Sequence, residues 1–114
     1  MDRARLLMDA VEVASVEVAR TYAARSKGLL GRDGIETGLV LRPGSGVHTF
    51  GMRFAIDVVF VRRDGRVLAV VTMPRHRLGL PRPRSAWILE TEAGRAREWG
   101  IRPGRTLELS EDPA

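Results

Sequence analysis

Short apolar runs rich in valine and other β-formers recur along this chain between turn signals, with only imperfect alternation of apolar and polar positions. Two apolar-rich segments open it, "ARLLMDA" (residues 4–10) and "EVASVEVAR" (residues 12–20), and the valine content of the second favours a strand despite imperfect alternation. In "TYAARSKGLLGRDG", Thr21 can cap a helix whose stripe is Tyr22, Ala23, Ala24 and Leu29, and the glycines that follow end it, which predicts a short helix over 22–30. Brief strands are expected at 39–41 and 47–49, on either side of a Pro-Gly-Ser-Gly turn. The strongest hairpin signal follows in "FAIDVVFVRRDGRVLAVVTM". Strands at 56–62 and 66–72 flank Asp64-Gly65, a pair favoured in a tight primed turn in which both positions take positive φ.

"PRHRLGLPRPR" (residues 74–84) holds three prolines and is a loop. "SAWILET" resumes as a strand. "EAGRAREWGIRPG" has the marks of a short helix stopped at Gly100, with Ile101 folding back on the last turn and Pro103 preventing continuation. "RTLELS" closes as a terminal strand. The sum is one mainly β (α+β) domain over 1–114, a small antiparallel barrel-like or strongly twisted sheet of about seven strands with two short helices.

Composition narrows the classes. At 114 residues, 44% apolar and 29% charged, the chain can bury a real core, about two-thirds of its unfolded surface. It has no apolar run long enough for a membrane span or a signal-peptide core, so a cytoplasmic setting without membrane contact is expected. With no cysteine, disulfides, thiolate nucleophiles and cysteine-ligated metals are excluded. The net charge of +5 rests on 18 Arg against a single Lys, a bias that reflects coding composition as readily as guanidinium chemistry, so nucleic acid is not the expected partner.

"GVHTFGMRFAIDVVFVRRDGRVLAV", with "RSKGLLGR" before it and "AWILETEAGRAREWGIRPGRTLEL" after it, resembles the bacterial and archaeal family called domain of unknown function 192, over about residues 16–109. The resemblance implies a compact, mainly β domain and no particular reaction. Many members have tryptophan-methionine-x-asparagine-threonine before the strand, where this chain has His48, Thr49, Phe50, Gly51 and Met52.

Two clusters could carry chemistry. In the strand, Ile56, Val58 and Phe60 share one face, and Asp57, Val59 and Val61 the other; both faces are apolar, so Asp57 is expected to be buried and to need donors. It could pair with His48 as a general acid/base couple in a small hydrolase. It could instead be a structural fastener, accepting hydrogen bonds from backbone N–H groups and Thr49 to pin the "HTFGM" turn, and this reading is favoured. The second cluster is the loop that gathers Arg75, His76, Arg77, Arg82 and Arg84 ahead of Trp87, which could clamp an anionic ligand or, more weakly, a nucleic-acid backbone with Trp87 stacking on a base; a solvated basic loop beside a core tryptophan is the favoured reading. No metal site is expected from two separated histidines, and no cofactor. The leading expectation is a non-enzymatic binding or accessory module for an anionic small molecule or a protein partner. Its surface would form where His48, Thr49, Met52 and Asp57 meet the arginine loop and Trp87.

Overall fold

The computed structural model describes residues 2–111. Seven strands form one sheet: β1 (Asp2–Met8), β2 (Val11–Ala19), β3 (Leu39–Leu41), β4 (Ile56–Arg62), β5 (Val67–Met73), β6 (Ser85–Glu92) and β7 (Leu107–Ser110), with helices α1 (Tyr22–Lys27) and α2 (Arg95–Glu98). The spatial order is β5-β4-β6-β3-β2-β1-β7. The mainly β class, the strand number and the two short helices are as the sequence predicts. The sheet is mixed rather than antiparallel throughout, because β2 and β3 run parallel, and the connection between them, which carries α1, supplies the crossover that parallel strands require.

The sheet is open in its strand order, so it is barrel-like only loosely. Its two edges nevertheless touch at one end, where Arg66 and Thr106 form an isolated antiparallel bridge and the Leu107 N–H donates to the Gly65 carbonyl at 2.8 Å. The turn that makes this possible differs from the primed type expected. Asp64 keeps negative φ and only Gly65, at φ 94°, is left-handed; the Gly65 N–H donates back to the Arg62 carbonyl at 2.8 Å. A three-residue loop ending in a left-handed glycine produces this bulged hairpin. Positive φ at both central positions occurs instead at Asp9 (49°) and Ala10 (71°), the tight connection between β1 and β2.

Curling gives the sheet two apolar faces. On the inner face, Leu6, Val16, Val18, Val40, Val59, Val61, Trp87, Leu89 and Leu107 pack together with Ala96 and Ile101 of the α2 segment. On the outer face, Leu39, Leu41, Ile56, Val58, Phe60 and Ile88 pack under Leu29, Ile35, Val47 and Met52 from the long connections. Strand β4 is therefore apolar on both sides, and its first six residues are all buried.

Helix α1 starts at the predicted cap, where the Ala24 N–H donates to Thr21 Oγ1 at 3.1 Å, and it stops earlier than expected. Gly28 adopts φ 49° and ψ −126°, a backbone state open to glycine and costly for other residues, so residues 28–30 leave the helix. The stop at Gly100 is as predicted: it takes φ 75°, the Ile101 N–H donates to the Ala96 carbonyl at 2.9 Å, and the Ile101 side chain is buried. Residues 47–49 do not form a regular strand. A single bridge from His48 to Leu78 is all the pairing they make, because the loop opposite is too rich in proline to extend a ladder.

Candidate functional site

Asp57 is a fastener, but of a different part of the chain from the one expected. It is 2% exposed and lies on the inner side of β4. Its Oδ1 accepts from Thr72 Oγ1 at 2.6 Å, and its Oδ2 accepts from the Gly94 N–H at 2.9 Å and the Ala96 N–H at 3.1 Å. A glycine at the N-cap of α2 offers no side-chain cap, and Asp57 supplies the acceptor from the neighbouring strand. Both oxygens are engaged by the fold, as the favoured fastener reading requires, and the alternative acid/base couple with His48 is not built. His48 is exposed and stacked on Phe50, with ring centroids 5.5 Å apart.

Thr49 does not reach Asp57 either; it ties the "HTFGM" turn to the arginine loop. Fully buried, it donates from Oγ1 to the Pro74 carbonyl at 2.7 Å and accepts the Arg77 N–H at 2.8 Å. Its own N–H donates to the Arg77 carbonyl at 2.7 Å, and its carbonyl accepts the His76 N–H at 2.8 Å. The Gly51 N–H donates to His76 Nδ1 at 3.2 Å, which completes the clasp. The two segments singled out by sequence therefore do meet, through backbone and Thr49 rather than around Asp57.

The arginines themselves spread out. Arg77 turns back toward the carbonyls of Arg75 and His76, and Arg82 lies over the Phe60 ring at 5.0 Å, beside a shallow cavity of about 280 Å³ that Leu78 and Leu80 also line. Arg75 and Arg84 are exposed. Trp87 is buried in the inner core, so it offers no platform to the loop above the outer face.

The larger cavity, about 480 Å³, lies elsewhere on the outer face, between α1, the 43–48 loop and β6. His48 and Met52, two of the residues expected to bind a ligand, line it. Leu29, Leu41 and Val47 supply apolar wall, while Arg25, Lys27 and Ser45 stand on the rim. At its floor is a residue that the sequence reading passed over, Glu90 of β6.

Glu90 is 5% exposed, and its cross-strand partners, Leu39 and Val58, are fully buried apolar residues. Among the described residues no side chain or backbone N–H donates to its carboxyl, and no cation pairs with it. Burial alone pushes its pKa up to about 7, so the group is protonated at the lower end of the neutral range. Above it lies Gly28, where a β-carbon would stand in ordinary contact, 3.5 Å, with Glu90 Oε1. A largely buried carboxyl to which no described protein group donates, opening on a cavity, takes its hydrogen bonds from whatever fills that cavity, water or a ligand. The sequence carried a faint signal. Ile88 and Glu90 share one parity of a strand whose other parity is Trp87, Leu89 and Thr91, so both faces are apolar, as they are around Asp57.

Among the described residues no cluster of three or more histidines and carboxylates could hold a metal ion, and no helix is long and apolar enough to cross a membrane. The fold and site together define a curled mixed sheet whose outer face carries a carboxyl-floored cavity. The chain belongs to the DUF192 family, described as Uncharacterized ACR, whose profile matches residues 5–109. No match is found among curated proteins. Two solved structures are similar. One is a protein of unknown function from Novosphingobium aromaticivorans DSM 12444, with 25% identity, a TM-score of 0.76, and coverage of 93% of this chain and 83% of that one. The other is described as a "putative transcription regulator" from Sinorhizobium meliloti 1021, with 23% identity, a TM-score of 0.76, and coverage of 95% and 92%. The second likeness speaks for the fold alone.

Proposed function

We propose that this protein is a small-ligand-binding module, cytoplasmic as expected from the sequence, whose seat is the outer-face cavity and whose anchor is Glu90. The observation that carries this reading is a largely buried carboxyl with no partner among the described residues, at the floor of a cavity of ligand-accommodating size. The anchor is thus moved from Asp57, whose oxygens are occupied, to Glu90. His48 and Met52 keep the ligand-contacting role proposed for them, on the rim and the wall. A screen of small polar fragments by protein-observed NMR tests it. Hits should shift the amides of Gly28, Val47, His48 and Glu90 together and lose their effect in Glu90→Gln; a screen in which no fragment moves those amides rejects the reading.

A second reading, an anion-binding surface on the 74–84 loop, is supported by the backbone clasp at Thr49, which holds Arg75 and Arg77 on a braced rather than a free segment. Nucleic acid is one outcome of its test. Arg75→Ala with Arg84→Ala should abolish retention on an anionic matrix that weakens steeply with salt; retention unchanged by the double substitution rejects this surface.

A further inference from the structure

We infer that the ligand of the Glu90 cavity is a small amino-carboxylic zwitterion, its ammonium group set on the Glu90 carboxylate at the floor and its carboxylate turned to Arg25 and Lys27 at the rim. This rests on the proposed binding role of the cavity and names the chemistry it selects.

The charges around the cavity are arranged by depth. The one acidic group is at the floor, buried and without a donor, and the cationic groups are at the mouth, where Arg25 is half-buried and Lys27 exposed. Between them the wall is apolar, formed by Leu41, Val47 and Met52. An anion alone would meet the buried carboxyl at the floor, and a cation alone would have to pass the cationic rim. A molecule with a donor-rich cationic end and an anionic end satisfies both, and an ammonium group brings three donors to an acceptor that has none.

Proton linkage follows from the same geometry. The free carboxyl is protonated at the lower end of the neutral range, because burial raises its pKa to about 7. Seating an ammonium group favours the ionised form, so a proton leaves for solvent on binding and affinity rises with pH. The elements packed around Glu90 bring few other charges into the cavity. The α1 segment contributes Arg25, Lys27 and the exposed Tyr22, the 43–48 loop contributes His48, and β3 and β4 contribute only apolar neighbours. His48 is the histidine that lines the cavity, so His48→Gln serves as the control.

Isothermal titration of the full chain with glycine, 4-aminobutyrate and 6-aminohexanoate, beside butyrate, hexanoate, butylamine and hexylamine, tests this inference. At least one zwitterion should bind saturably, and removing either of its charged ends should weaken binding at least tenfold. Its affinity should rise roughly tenfold from pH 6 to pH 8 in the protein and in His48→Gln, since the ionised share of a carboxyl with this pKa grows by about that factor. Glu90→Gln should lose both the binding and the pH dependence, while Arg25→Ala with Lys27→Ala should bring the affinity for the zwitterion down to that for the matching amine. If no zwitterion binds, or if the single-ended analogues bind as well, the inference is overturned. Fragment hits on the cavity amides in that case would leave the binding role standing.

Discussion

Oδ2 of Asp57, near the start of β4, accepts the backbone N–H of Ala96 at 3.1 Å and so ties that strand to a helical turn 39 residues further along the chain. The same oxygen takes the Gly94 N–H, and the other takes the Thr72 hydroxyl. One buried carboxylate thus fixes where α2 sits over the end of the inner core.

Asp57→Ala should therefore destabilise the fold by about 1–3 kcal/mol, since it strands two N–H groups that the fold has removed from water. Asp57→Asn should cost clearly less, because its amide oxygen can still accept those N–H groups while the Thr72 hydroxyl rotates to accept from the amide nitrogen. Urea denaturation of both variants checks the order; equal losses would contradict the capping role.

Thr49→Val keeps the shape of the side chain and removes its hydroxyl. Losing the bonds to the Pro74 carbonyl and the Arg77 N–H should cost about 1–3 kcal/mol. Hydrogen exchange should speed up at the His76, Arg77 and Gly79 amides, which face the turn, more than at amides of β1 and β2. Uniform acceleration across the sheet would mean that the clasp is not a local lock.

At Gly65, a β-carbon would stand 2.4 Å from the Leu107 carbonyl oxygen, and the φ of 94° is unfavourable for any residue with one. Gly65→Ala should cost about 1–3 kcal/mol. It should also lower exchange protection of the Leu107 N–H, one of the bonds that join the two sheet edges, beside that from the Val67 N–H to the Arg105 carbonyl. Protection retained at Leu107 would contradict the close contact between residue 65 and the Leu107 carbonyl.

Stability should also fall with pH through Glu90. The unfolded carboxyl titrates near its ordinary value of 4.5 and the folded one near 7, so the native state binds the extra proton between them. The contribution is complete below about pH 4.5 and is lost as pH rises through 7. It amounts to about 3 kcal/mol at 1.36 kcal/mol per pKa unit. Glu90→Gln should flatten this part of the stability profile and exceed the parent in relative stability at pH 8. A parent profile as flat as that of Glu90→Gln between pH 5 and 8 would contradict it.

Local signals carried most of the fold. The Thr21 cap, the hairpin around Asp64-Gly65 and the stop at Gly100 each depend on a few neighbouring residues, and each is where the sequence places it. What the sequence left open depends on partners far along the chain. The parallel pairing of β2 with β3 is set by how the 20–38 connection packs, and the turn at Gly65 is tuned by contact with Leu107.

The site divides in the same way. That Asp57 is buried and satisfied could be read from an acid between apolar neighbours, but which donors satisfy it could not, because Gly94 and Ala96 reach it only through the fold. Glu90 shows the converse. Followed by Thr91 and Glu92 it looks like the polar end of a strand, and only the covering of β6 by Gly28 and the 43–48 loop turns it into a buried group on a cavity.

The most direct test of Glu90 as an unpartnered anchor is the titration of its side-chain carboxyl, followed by carbon-13 NMR in protein labelled at glutamate and assigned by Glu90→Gln. A midpoint near 7 is predicted. A midpoint at or below the ordinary value of 4.5 would mean that the protein already supplies Glu90 with donors or solvent, leaving nothing for a ligand to complete.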